Sequence, residues 1–192
     1  MTNAIMAAGY FLYSLIFSIL TFILWVRFSV RYFRISALHP VSQTIYRISD
    51  PIVLPIARLM RQPNVRKNRY DWPCFALLVL VEVIKFVLVG MLFFTTLLPW
   101  FLLILYPIAD LMVQPLSLLF YAILIRVAMS WINPTWKNPF NDLLIVVTEP
   151  ILSTVRRYIP YIAGFDVTPF VVLVVIKVIT LFISAAMPLH LV

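Results

Sequence analysis

Apolar positions in this chain run continuously over long stretches instead of alternating with polar ones. Ala7 to Val26 is a stretch of 20 residues without a charge, closed by Arg27. A bilayer-crossing helix needs about 20 mostly apolar residues, so this run predicts a first span. No basic segment precedes it, and Trp25-Val26-Arg27 is no small-residue cleavage site, so it reads as a retained span and not as a signal peptide. From Cys74 to Ile125 the chain is mostly apolar for 52 residues, which fits two crossings and a tight turn. Pro99-Trp100 and Tyr106-Pro107 carry the prolines and interfacial aromatics expected of that turn. They place a second span near 75–98 and a third near 107–125, and a fourth runs over 168–189. In lipid every backbone group must be bonded within its own segment, so unbroken apolar runs predict helices.

Between the spans the pattern changes. His39-Pro40 and Asn138-Pro139 look like helix starts, with proline at the first helical position, and Asp142 sits in a favourable first turn. Phe140, Leu143, Leu144 and Val147 follow a helical apolar spacing, as do Ile45 and Ile48 in the earlier loop. Short amphipathic helices along the membrane surface are expected there, with a re-entrant segment as the alternative. Pro51 and Pro150 are expected to end or kink them.

Composition agrees with this picture. Of 192 residues, 64% are hydrophobic and 11% charged, far from the roughly 25% charged of a soluble domain. A soluble enzyme and a disordered chain are both excluded. Charge placement adds orientation. Nine of the 15 Lys and Arg residues lie in loop 27–74 and four in loop 126–167; Lys85 and Lys177 fall inside spans. With four spans, both basic loops share a side, and the positive-inside rule makes that side cytoplasmic. Both termini then face the periplasm. Such loops also suit anionic headgroups. Arg66, Lys67 and Arg69 have no aromatic stacking pattern around them beyond Tyr70 and Trp72, so no nucleic-acid partner is expected.

The two loops repeat at an offset of 99 residues: Arg27 with Arg126, Pro40 with Pro139, Pro51 with Pro150, Arg58 with Arg157. Ser49-Asp50-Pro51-Ile52 reads against Thr148-Glu149-Pro150-Ile151, and Asp71 parallels Asp166 with a few residues of slippage. The expected fold is therefore all-α, with four transmembrane helices in two tandem span–amphipathic helix–span repeats, residues 1–98 and 99–192. Each copy starts and ends on the same side, so the repeats are parallel.

The string Arg126-Val127-Ala128-Met129-Ser130-Trp131-Ile132-Asn133-Pro134 resembles the opening motif of the YggT family. Asn138-Pro139, Thr148-Glu149-Pro150-Ile151-Leu152, Arg156-Arg157 and Ala163-Gly164-Phe165-Asp166-Val167-Thr168-Pro169 follow in the family's order. The resemblance implies a small multi-pass membrane protein of the two-repeat bacterial form, without an established enzymatic activity. It also brings links to osmotic or potassium-related tolerance, to envelope gene neighbourhoods and to membrane-complex assembly.

Several residues are candidates for chemistry. Glu82 and Lys85, three apart, share a face of the second span, and Lys177 in the fourth is a further possible partner. Intramembrane charges are costly and are paired or functional, so they read either as a packing pair or as an ion pathway. Asp110 is expected near the outer surface, at the opening of the third span. Arg27 with Asp50, and Arg126 with Glu149, read as ion pairs holding each loop helix to its span, and Asp71 and Asp166 as caps of the second and fourth spans. Ser130 has no base within topological reach, since His39 and His190 lie in the other loop and at the opposite tail, so no catalytic residue is expected. One cysteine, Cys74, and two histidines on opposite sides offer no metal site, and no Gly-rich phosphate loop marks a cofactor. The expected function is a non-enzymatic inner-membrane protein that scaffolds envelope partners through its loop helices. The alternative is an oligomeric cation pathway or an osmotic-stress role. A membrane-protein partner or a homo-oligomer is expected in either case.

Overall fold

The computed structural model describes residues 2–61, 70–93, 99–132, 138–159 and 166–187. Arg66, Lys67, Arg69, Lys137 and His190 lie outside the described residues, as do the far ends of the second and fourth predicted spans. Six helices follow one another: α1 (Thr2–Tyr32), α2 (Pro40–Leu59), α3 (Trp72–Phe93), α4 (Trp100–Ile132), α5 (Pro139–Arg156) and α6 (Thr168–Ala185). Four of them, α1, α3, α4 and α6, are long and apolar enough to cross a membrane.

Two span boundaries differ from the sequence expectation. Helix α1 continues through Arg27 and Arg31 to Tyr32, so these arginines belong to the span and not to the loop. The helix persists because Arg27 is buried and bonded. It ends where Arg34 takes a left-handed backbone (φ 54°) and the Ile35 N–H reaches back to the Val30 carbonyl at 3.0 Å. Helix α4 begins at Trp100, with the Pro99 carbonyl accepting from Leu102 and Leu103 (2.9 and 3.2 Å), and it passes through Tyr106-Pro107 without turning. Pro107 and Pro115 are both internal to its 33 residues, about 50 Å of helix. Neighbouring helices and hydroxyls let membrane helices tolerate such prolines. Asp110 therefore lies inside the helix and is buried, not at the outer surface.

Pro51, Pro55 and Pro150 likewise do not end their helices. All three sit on exposed faces, so the carbonyls they leave without a donor lie on the outside of α2 and α5. Asn138 caps α5, its side-chain oxygen accepting from the Phe140 N–H at 3.1 Å.

Each repeat builds its own core. Leu24, Val53, Cys74, Leu78 and Val81 join α1, α2 and α3, and Ile123, Leu152, Leu173 and Ile176 join α4, α5 and α6. These cores correspond residue by residue. Leu24 matches Ile123 and Val53 matches Leu152 at an offset of 99, while Leu78 matches Leu173 and Val81 matches Ile176 at 95. The second loop is shorter by that difference. The copies meet through α3 against α4, α1 against α4 and α2 against α5. Phe86, Leu102 and Tyr106 fill the first of these joints, with the Phe86 and Tyr106 rings stacked 5.3 Å apart.

Candidate functional site

At the end of the bundle that carries α2 and α5, an arginine late in each repeat's first span gathers the loop helix. Arg27, 1% exposed, donates to Ser49 Oγ and Asp50 Oδ1 (2.7 Å each) and to Asp71 Oδ2 (3.0 Å). Its guanidinium lies 5.0 Å from the Tyr46 ring centroid. Arg31 stands 3.6 Å from the same Asp71 oxygen. The other oxygen of Asp71 accepts the Cys74 N–H at 3.2 Å, at the start of α3. One fully buried carboxylate thus links α1 to α3, and one guanidinium links both to α2. Cys74 is buried and free, its Sγ 3.4 Å from the Leu24 carbonyl oxygen.

The second repeat reuses these parts in a looser form. Arg126 donates to Thr148 Oγ1 and Glu149 Oε2, both at 2.7 Å. Asp166 is bonded not by Arg126 but by Arg156 of α5 (2.8 Å), which also holds Glu149 (2.7 Å), and its second oxygen accepts the Thr168 N–H at 3.0 Å. Glu149 is 38% exposed, against 0% for Asp71. Arg58 and Arg157, paired by the sequence repeat, are both exposed and join neither network. Ser49 and Thr148 are parts that sequence reasoning missed. Each donates back to a carbonyl four residues earlier (2.6 and 2.7 Å) and so turns a lone pair to its arginine.

The exposed network titrates. The Arg126 hydrogen bond, opposed by burial, holds Glu149 below its usual 4.5. Burial pushes Asp166 up, but hydrogen bonds from Thr168 and Arg156 outweigh it and leave the carboxyl below 3.8. With folded values depressed, the contribution to stability is complete above the ordinary values and is lost as pH falls through the lowered ones. A spin-label pair reporting the α5-to-α4 distance is expected to separate below about pH 4; a distance constant through that range would refute the assignment.

A second cluster lies between the spans. Lys85 of α3 bonds Asp110 of α4, and its Nζ is 3.4 Å from Glu82 Oε2. Glu82, fully buried, accepts from Gln114 Nε2 (2.5 Å), and Gln114 Oε1 accepts from Trp25 Nε1 (2.8 Å). The Tyr13 hydroxyl donates to the Lys85 carbonyl at 2.5 Å. This chain of bonds ties α1, α3 and α4 together across the joint between repeats. It borders a cavity of about 470 Å³ lined by α1, α3 and α4, where Ser14, Ser18 and Thr21 face Gln114 and Ser117. Two carboxylates and one ammonium leave one negative charge in excess when all are ionised. Lys177 does not join them. It is exposed on α6, beside Ser117, Tyr121 and Thr180 around a pocket of about 40 Å³. Among the described residues no group of three His, Cys, Asp or Glu is placed to hold a metal.

Comparison with known proteins agrees with the repeat. The CCB3/YggT family model matches twice, over residues 6–92 and 105–187. "Uncharacterized protein YggT" of Escherichia coli K12 is 26% identical over 176 residues, covering 89% of this chain and 86% of its own. "Uncharacterized protein PA0392" of Pseudomonas aeruginosa is 26% identical over 174 residues (86% and 83%), and an "Uncharacterized protein in proC 3'region" of Vibrio alginolyticus 27% over 170 (85% and 86%). No solved structure matches. With two copies of its motif in tandem, each built as span, loop helix and span, the chain belongs to the CCB3/YggT family.

Proposed function

We propose that this protein is a non-enzymatic scaffold of the bacterial inner membrane, with α2 and α5 forming one platform on the cytoplasmic face. The observation that carries this reading is that both loop helices are fixed to their spans by arginine networks of the same design and also touch each other. An arginine that orders a loop helix at two hydrogen bonds serves presentation; it activates no nucleophile. Ser49, Val53 and Ala57 face inward on α2, and Leu144, Val147 and Leu152 on α5. Ile48, Leu54, Ile145 and Val146 face outward, with Arg47 and Arg58 beside them, a pattern that suits anionic headgroups and a partner's helix. Photo-crosslinkers at Ile48 and Val146, read by the mass of the intact complex in mild detergent, test it. A stoichiometric heteromeric adduct is expected; lipid adducts alone would overturn the platform.

The intramembrane cluster favours a second reading, cation movement linked to osmotic tolerance. Two of its charged groups, Lys85 and Asp110, line a cavity within one chain. Cation flux into liposomes, compared between the native protein and a form with Glu82 and Lys85 both replaced by leucine, decides it. Flux that is absent, or unchanged by the replacements, rules the pathway out.

A further inference from the structure

The register that aligns the two cores also aligns the two polar pockets. At an offset of 95, Val81, Glu82 and Lys85 correspond to Ile176, Lys177 and Thr180. At an offset of 99, Ser18, Thr21 and Phe22 correspond to Ser117, Phe120 and Tyr121. Of the first set, Ser18, Thr21, Phe22 and Lys85 line the large cavity, with Glu82 bonded to its Lys85 and Gln114; the second set lines the small pocket, and Ser117 and Tyr121 face both. Lys85 and Glu82 in the first repeat and Thr180 and Lys177 in the second therefore occupy equivalent places. In the first repeat that place is covered by the span that follows, α4, which brings Asp110 to Lys85 and Gln114 to Glu82. In the second repeat no described helix lies over the equivalent place, and Lys177 and Tyr121 are exposed.

Lys177 stands nine residues from Thr168 and eight from Ala185, about 12–14 Å from either end of α6. It sits near the midplane, where an uncompensated ammonium is costly and headgroups are distant. Thr180, one turn on, spends its hydroxyl on the Lys177 carbonyl (2.9 Å). Tyr121, 59% exposed, borders the same pocket from α4.

A second copy of this chain does not supply what the site lacks. The span it would offer in the place of α4 is α1, and there Phe11 and Leu15 occupy the positions of Asp110 and Gln114. The two described span carboxylates, Glu82 and Asp110, are already buried (0% and 4% exposed). We propose that the α4–α6 face around Lys177 takes a transmembrane helix of a different protein, one that carries a carboxylate at mid-bilayer depth and docks as α4 docks on α3. This names the partner's chemistry for the scaffold reading and rests on it.

The probe is a labelled polyleucine transmembrane peptide with one central aspartate, and its all-leucine parent, titrated by energy transfer against the full-length protein in phosphatidylcholine vesicles. The aspartate peptide is expected to associate about tenfold more tightly than the parent. Lys177→Met is expected to abolish that difference and Lys177→Arg to keep it. Equal association of the two peptides, as when the ammonium extends to the headgroups, would overturn the proposal. So would a difference that survives Lys177→Met, or displacement of the peptide by an unlabelled second copy. The outcomes separate from those at α2 and α5: cross-linking that fails there while the peptide preference holds removes the platform alone, and the converse removes the Lys177 site alone.

Discussion

Replacement of Asp71 by alanine is expected to destabilise the protein by about 3–5 kcal/mol, the usual cost of removing one partner from a buried ion pair. Asp71 is fully buried and faces two buried arginines, so its loss leaves two guanidinium groups side by side with Asp50 as the remaining carboxylate on Arg27. It also removes the acceptor for the Cys74 N–H at the start of α3. The matched replacement in the second repeat, Asp166→Ala, is expected to cost about 1 kcal/mol or less, because that carboxylate and its arginine are 26% and 29% exposed and water replaces the lost bonds. Denaturation in mixed micelles, comparing the two variants, checks the asymmetry. Equal costs would mean that the two networks carry the same load despite their different burial.

The second large effect is expected at Lys85. Lys85→Met removes the ammonium between Glu82 and Asp110 and leaves two buried carboxylates on neighbouring helices without a counter-charge. A loss of about 3–5 kcal/mol is expected, together with loosening of α3 from α4. Asp110→Asn on the same background removes one of the two stranded charges and is expected to restore a large part of it, as contacting residues are not additive. The readout is the folded fraction in micelles for wild type, single and double variants. A single variant as stable as wild type, or a double variant no better than the single, would show that the cluster does not hold the joint.

Much of the architecture was legible in the chain. Uninterrupted apolar length announced four helices, and the ordered recurrence of Arg, Pro and acid announced two copies. Arg27 with Asp50 and Arg126 with Glu149 were readable because a 99-residue echo is improbable without a shared geometry. Asp110 was misplaced because Tyr106-Pro107 carries the features of a turn; neighbouring helices override the proline, which is a tertiary effect. Once α4 is continuous, Asp110, Gln114, Ser117 and Tyr121 fall on one face, and that spacing was available in the sequence. The Arg156–Asp166 bond was not readable, since it crosses a connection whose path no periodicity reports. Lys177 was grouped with Glu82 and Lys85 by residue type, whereas the shift of register from 99 to 95 makes it Glu82's counterpart in the other copy.

The bond between Lys85 and Asp110 also has an order in time. Synthesis runs from the N-terminus, so α3 leaves the ribosome ahead of α4. During that interval Lys85 already has Glu82 one turn away on its own helix. The helix thus arrives carrying its own counter-ion and inserts as a locally neutral segment. Asp110 reaches a cation that is already in place, and Gln114 then takes up the Glu82 oxygen turned away from Lys85. The pair within α3 thus offers the incoming α4 a polar docking site that is already assembled on one helix.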